Sequence, residues 1–154
     1  MLDQYPQVVF SYDFLNLAKQ YREAYKALSE VTPSEVTPIS WPRYFLFCHS
    51  IELVLKAYLS HTGLTGKQLQ NPRVRHNIKN LLDKAIKSGL SLSTGARHKI
   101  EDLTETYTNH WPRYPITKSA FIPLIHQFEP DATELFKAVD AALHPGRSFL
   151  DGQG

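Results

Sequence analysis

The stretch WPRYFLFCHSIELVLKAYLSHTG, residues 41–63, decides the fold of this chain. Ser40 before it is a favourable N-cap, Pro42 suits a first helical turn because no amide donor is needed there, and Gly63 is a natural terminator. These signals predict one long helix. Most of its circumference is apolar, which is typical of a helix that lies in a protein interior.

A mostly polar stripe of side chains runs along this apolar helix. Side chains spaced by three, four and seven residues share one helical face, and this face holds Phe45, His49, Glu52 and Lys56. Polar groups on an interior helix must face a cleft, a partner subunit or a buried network in which they are satisfied. Glu52 and Lys56 form either a cleft edge, where Glu52 orients His49, or a semi-buried salt bridge.

The composition is that of an ordinary globular protein. The 154 residues are 42% hydrophobic and 21% charged, which predicts one domain over residues 1–154 with an ordered core at about 11–145. The formal net charge of +2 is too small to indicate nucleic-acid binding by itself.

Cysteine use and hydropathy predict a cytoplasmic protein. Cys48 is the one cysteine, so an internal disulfide framework is excluded, and its place beside leucines predicts a small buried residue rather than a nucleophile. The opening residues MLDQYPQVVF lack the basic and apolar regions of a signal peptide. Charge interrupts the longest apolar run, so neither a membrane span nor a membrane partner is predicted.

Further helices are predicted on both sides of residues 41–63. They run from Ser11 or Asp13 to about Ser29, from His76 or Asn77 to Gly89, from Ser93 or Thr94 to before Pro112, and from Pro130 to near His144. Residues 30–39 and 64–75 are predicted to be connecting loops, and residues 121–126 a short irregular or helical piece. Strand alternation is almost absent, so we expect an all-α fold, an antiparallel bundle of four to five helices.

A pattern of ten residues spans the second and third predicted helices. It consists of His49, Glu52, Leu55, Lys56, Ala57 and Leu59, followed by His76, Ile78, Leu81 and Leu82. This pattern resembles the HEPN superfamily of small all-α proteins. The resemblance covers residues 41–90, about a third of the chain, and implies a HEPN-like bundle that is usually a homodimer.

The resemblance also implies an activity. Many HEPN proteins are metal-independent RNases that act as toxins or in antiviral defence, and their signature is an Arg followed, after four to six residues, by a His. Arg43 and His49, with five residues between them, reproduce this spacing. Other members are non-catalytic interaction modules that partner a nucleotidyltransferase. The implied partners are therefore a second copy of the chain, RNA, and an antitoxin or nucleotidyltransferase.

The chemistry of RNA cleavage fits this residue pair. His49 can act as general base or acid near neutral pH, Arg43 can clamp the phosphate, and a second His from a dimer mate can make the other proton transfer. A straight helix places the two residues about 120° apart, a gap that the Arg side chain, a bent first turn or the partner subunit would have to close. In the alternative interpretation, Arg43 caps the neighbourhood of the helix start, and His49 forms a hydrogen bond inside the core.

Two further groups are candidates for RNA or phosphate binding. Arg73, Arg75 and His76 form either a phosphate-binding edge or a solvated helix entry. The connector YTNHWPRYP brings together Trp111 and Arg113, which suits base stacking with a phosphate contact. Such aromatic connectors also pack over bundle ends.

Neither a metal nor a cofactor is predicted. The chain has no His-Glu-x-x-His, no paired cysteines and no Glu-x-x-His; His49 with Glu52 and His126 with Glu129 run in the reverse order. A Gly-rich phosphate loop, a Ser-centred elbow and the kinase motifs are also absent from the sequence. Conventional nucleotide hydrolysis is therefore poorly supported.

Overall fold

Helices are the one kind of regular secondary structure in the described part of this computed structural model, residues 7–28, 41–108 and 125–146. In chain order they are α1 (Gln7–Leu28), α2 (Trp41–His61), the single turn α3 (Gly66–Leu69), α4 (Ile78–Lys87), α5 (Thr94–Thr108), a 3-10 turn (Ile125–Phe128) and α6 (Glu129–Leu143). The predicted all-α class is confirmed for these residues. None of their helices is both long enough and apolar enough to cross a membrane.

Helix α2 is the centre of the fold. It packs against α1, α4, α5 and α6, and residues 51–60 are all buried, so the predicted interior helix is confirmed. Burial of each large side chain, such as those of Leu55 and Leu59, contributes about 1.5–3 kcal/mol. Cys48 is also buried, and burial together with the charge of Glu52 raises the pKa of its thiol. Its predicted place in the core is therefore confirmed.

Two pairs of packed helices, α1 with α6 and α4 with α5, run antiparallel. Lys19 of α1 bonds to Asp140 of α6 at 2.7 Å. Arg22, further along α1, reaches back to Thr133, earlier in α6, at 2.7 Å. The salt bridges between α4 and α5 run in the same opposed order. Lys79 lies near Glu101, and Asp83, further along α4, pairs with Arg97, earlier in α5. For α4 and α5, this is the arrangement that the short connection over residues 88–93 favours.

The first helix begins one turn earlier than predicted. It starts at Gln7 rather than at Ser11 or Asp13. Ser11 is fully buried, so it packs inside the bundle instead of capping a helix. Phe10 extends the apolar spacing backward, and its ring meets the edge of Phe14 at 4.5 Å. Core packing thus overrides the capping signal here.

The stretch predicted to be a loop over residues 64–75 contains a helical turn, α3. Thr65 and Gln68 form a capping box: the Thr65 hydroxyl accepts from the Gln68 amide at 3.2 Å, and the Gln68 side chain accepts from the Thr65 amide at 2.9 Å. This reciprocal pair satisfies amide groups that a short helix leaves open. The loop prediction was therefore wrong for these residues.

The other described helix ends agree with the sequence. Asn77 caps α4 by accepting from the Asn80 amide at 3.0 Å, and Gly89 ends it with a φ of 109°, a conformation that glycine adopts without a steric cost. Ser93 caps α5, and Pro130 lies in the first turn of α6. The predictions for residues 29–40, 109–124 and 147–154 lie outside the described residues.

Candidate functional site

A buried carboxylate, that of Glu52, is the centre of the site. Its side chain is 1% exposed. It accepts hydrogen bonds from Lys56 Nζ at 2.5 Å and from the Tyr107 hydroxyl. His76 Nδ1 lies 3.2 Å from Oε1 and His49 Nδ1 lies 3.5 Å from Oε2. Helices α2 and α5 and the turn before α4 therefore meet at one carboxylate.

Local structure explains how each side chain reaches Glu52. His49 and Lys56 lie one turn before and one turn after it on the same face of α2. His76 directly precedes Asn77, whose capping bond fixes the entry of α4. Tyr107 belongs to the narrow buried face of α5 that also includes Ile100 and Leu103. The predicted pairing of Glu52 with Lys56 is confirmed, as a salt bridge that is almost fully buried.

Glu52 is ionised over the neutral range. Burial raises the pKa of its carboxyl, but hydrogen bonding from His49, the charge and hydrogen bond of Lys56, and the hydrogen bond from Tyr107 outweigh burial. Together they lower the pKa from 4.5 to about 2. An ionised carboxylate only accepts hydrogen bonds, so every group that faces it must donate.

This requirement fixes the protons of the two histidines. The Tyr107 hydroxyl donates to Glu52, so the His49 Nδ1 proton is shared between the Tyr107 oxygen at 3.0 Å and the Glu52 carboxylate at 3.5 Å. His76 Nδ1 donates directly to the carboxylate. In the neutral ring of each histidine the lone pair therefore lies on Nε2, the nitrogen turned away from Glu52. Nε2 is therefore the nitrogen of each neutral ring that can accept a proton.

The two imidazoles differ in their surroundings. The His49 side chain is 20% exposed and is enclosed by rings: Phe45 stacks on it at a centroid distance of 5.4 Å, and Tyr21 of α1 meets it edge-on at 4.5 Å. The His76 side chain is 37% exposed. The site thus combines a buried carboxylate with two partly exposed imidazoles, one of which packs against aromatic rings.

Arg43 contacts α1 rather than Glu52. Its Nη2 donates to the Tyr25 hydroxyl at 3.2 Å, and its guanidinium carbon lies 4.8 Å above the centre of the Tyr25 ring. Burial and the charge of Glu129 raise the pKa of Tyr25, while Arg43 opposes them. Tyr25 lies one turn beyond Tyr21, the ring that meets His49. Both residues of the predicted Arg–His pair therefore face the same side of α1.

The remaining candidates divide into two groups. His76 turns toward Glu52, whereas its predicted companions Arg73 and Arg75 are exposed. Trp111 and Arg113 lie outside the described residues. The contact of Tyr107 with Glu52 is the part of the site that the sequence did not indicate. A buried tyrosine hydroxyl requires a partner, but no spacing rule connects residue 107 with residue 52.

Neither metal ligation nor similarity to known proteins identifies the function of the site around Glu52. Within residues 7–28, 41–108 and 125–146, no group of three or more His, Cys, Asp or Glu side chains is placed to hold a metal ion. Comparisons of the chain with protein-family models, curated proteins and solved structures find no match. The functional assignment therefore depends on the geometry around Glu52.

Acid is expected to destabilise the protein through Glu52. Because the pKa of its carboxyl is about 2 in the folded state and ordinarily 4.5, the unfolded chain takes up the proton first as the pH falls. A stabilisation of about 3 kcal/mol is therefore fully present above pH 4.5 and is lost as the pH falls through 2. Urea unfolding at pH steps from 2 to 6 measures this loss. Glu52→Gln should show a shallower pH dependence, and identical slopes for both proteins would contradict the assignment.

Proposed function

We propose that this chain is a HEPN-like, metal-independent endoribonuclease. The observation that supports this proposal is the pair of imidazoles, His49 and His76, that reach one buried carboxylate from different parts of the chain. A neutral and a protonated imidazole held at one site are the two groups that metal-free RNA cleavage needs.

The reaction follows from the protonation pattern at the site. One histidine takes the proton of a ribose 2′-hydroxyl through Nε2, and the 2′-oxygen attacks the adjacent phosphorus. The other histidine gives its proton to the leaving 5′-oxygen. The products are a 2′,3′-cyclic phosphate and a 5′-hydroxyl. Glu52 accepts the hydrogen bond that orients the His76 ring, and Lys56 helps to keep the carboxylate ionised.

Arg43 is proposed as the phosphate-binding residue of the reaction. The HEPN-like spacing of Arg43 and His49 supports this role, and so does their shared position against α1. Guanidinium groups hold phosphate through paired N–H donors. To do so, Arg43 must exchange its hydrogen bond with Tyr25 for one with the substrate.

The biological setting proposed here follows the same resemblance. We propose a cytoplasmic homodimer that acts as a toxin or in antiviral defence, with an antitoxin or a nucleotidyltransferase as its protein partner. In a homodimer, the second subunit can supply additional groups to the site around Glu52.

A non-catalytic interaction module is the second candidate function. The observation that favours it is the enclosure of His49 by Phe45 and Tyr21, which resembles the packing of a core histidine. In that case the network around Glu52 stabilises the bundle, and the protein acts by docking a nucleotidyltransferase or another protein.

The two candidates differ in one assay. Purified protein is incubated with 5′-labelled single-stranded RNA in excess EDTA at pH 7, and we expect fragments that end in 2′,3′-cyclic phosphate. The variant carrying both His49→Ala and His76→Ala, purified in the same way, should lack this activity. His98→Ala is the matched control, because His98 is exposed on α5, and it should cleave normally.

Two results would count against the nuclease. Equal cleavage by the double histidine variant would identify a contaminating enzyme. Failure of the wild-type protein to cleave any RNA under these conditions would favour the interaction module.

A further inference from the structure

The positive charge of the chain is concentrated between the end of α2 and the start of α5. Residues 61–92 carry a formal charge of +5, whereas the whole chain carries +2. Asp83 is the one acidic residue of this segment. Its basic residues are Lys67, Arg73, Arg75, Lys79, Lys84 and Lys87. The rest of the chain is therefore net negative, with four carboxylates against one lysine in α6 alone. Within residues 7–28, 41–108 and 125–146, this basic segment comprises α3, α4 and the turn between them.

The turn before α4 holds two of these cations outward. Val74 is buried and anchors it, while Arg73 and Arg75 on either side are exposed. The Asn71 side chain accepts a hydrogen bond from the Arg73 amide at 2.9 Å, and the Asn71 backbone carbonyl accepts one from the Arg75 amide at 2.9 Å. The Asn80 side chain donates to the Arg73 backbone carbonyl at 2.9 Å. The backbone that carries both guanidiniums is therefore well fixed.

Two lysines continue the line of charge along α4. Asn80, Lys84 and Lys87 are spaced by four and three residues, so they share one face of the helix, and both lysines are exposed. This face spans about 10 Å. Among the described residues, neither lysine forms a salt bridge. Lys79, on another flank of α4, is paired with Asp83 at 3.3 Å.

We propose that Arg73, Arg75, Lys84 and Lys87, the basic row, bind the phosphate backbone of a polynucleotide strand and lead it to His76. This inference rests on the proposed cleavage of RNA and specifies its substrate as a strand of several nucleotides. His76 adjoins Arg75 in the chain and directs Nδ1 to Glu52, so one end of the row lies at the site.

The arrangement of the basic row determines what it binds. Cations spread along a line match the repeated charges of a strand, whereas a single phosphate group requires cations that converge on one point. Residues 61–92 contain no Phe, Tyr or Trp, so the row offers no aromatic ring on which a base can stack. Binding should therefore depend on backbone charge rather than on base sequence.

Salt dependence tests the basic row without any requirement for cleavage. The probe is a fluorescein-labelled 20-nucleotide 2′-O-methyl RNA, which has no 2′-hydroxyl to attack its phosphates, and its binding is followed by anisotropy from 50 to 300 mM KCl. Each phosphate contact contributes about −0.7 to the slope of log K against log salt. Arg73→Ala with Arg75→Ala should make the slope shallower by about 1.4 and weaken binding about 10-fold. Lys84→Ala with Lys87→Ala should do the same.

The control and the contrary outcomes are equally specific. Lys137→Ala, an exposed lysine on the acidic helix α6, should leave binding and slope unchanged. The inference is wrong if both double variants bind the probe with wild-type affinity and slope, or if AMP competes as effectively as the strand. A wild-type protein that binds through the basic row but cleaves no RNA would support this surface and refute the nuclease. If neither double variant changes the rate or the KM of RNA cleavage, the nuclease would be supported and the basic row would be refuted.

Discussion

Glu52→Gln is expected to lower the free energy of unfolding by about 3–5 kcal/mol, because removal of one partner from a buried ion pair leaves the other charge uncompensated. Lys56, whose side chain is 11% exposed, would lose its carboxylate. The new amide would also present N–H donors where Tyr107 and His76 already donate. Urea unfolding at pH 7, compared at constant slope, measures the loss.

Two further variants separate burial from charge. Glu23→Gln is the matched control: Glu23 is 74% exposed and lies 3.5 Å from Lys26, and loss of such a surface pair should cost less than about 1 kcal/mol. The double variant Glu52→Gln with Lys56→Met should recover part of the stability, because no unpaired buried charge remains. A loss below about 1 kcal/mol for Glu52→Gln would show that the carboxylate is not the centre of the network.

Most of the fold could be predicted from the sequence. The apolar circumference of residues 51–60, the cap at Asn77 and the stop at Gly89 are local signals, and the structure agrees with each of them. The early start of α1 could not be predicted in this way. Ser11 is a good cap by residue type, and only its full burial in the bundle shows that it belongs inside the helix. Local propensity fails where tertiary packing supplies the larger energy.

Only the part of the site that lies on α2 could be predicted from the sequence. Helical spacing places His49, Glu52 and Lys56 on one face, and all three meet in the structure. The sequence places His76 among the phosphate-binding candidates, but the contacts of His76 and Tyr107 with Glu52 could not be predicted, because they join segments that lie 24 and 55 residues apart in the chain. Their convergence depends on how α4 and α5 pack on α2, which no local pattern encodes.

Single substitutions of the two histidines are expected to produce the largest losses of activity. His49→Ala and His76→Ala should each lower kcat/KM for RNA cleavage by about 10²–10⁴-fold, because each removes one of two proton transfers. Their effects should not add in the double variant, since the two groups act as a unit. Tyr107→Phe keeps the ring but removes the hydroxyl between His49 and Glu52, so we expect a smaller loss of about 10-fold.

The pH profile distinguishes a catalytic pair from a structural one. An acid and a base that act together produce a bell-shaped dependence of kcat/KM on pH, and loss of either histidine should remove one limb of the bell. Circular dichroism and urea unfolding of each variant confirm that the bundle is intact. A variant that is merely less stable would keep both limbs of the bell at every pH at which it is folded. That result, or a normal rate for His76→Ala, would mean that the two imidazoles share Glu52 for stability and not for catalysis.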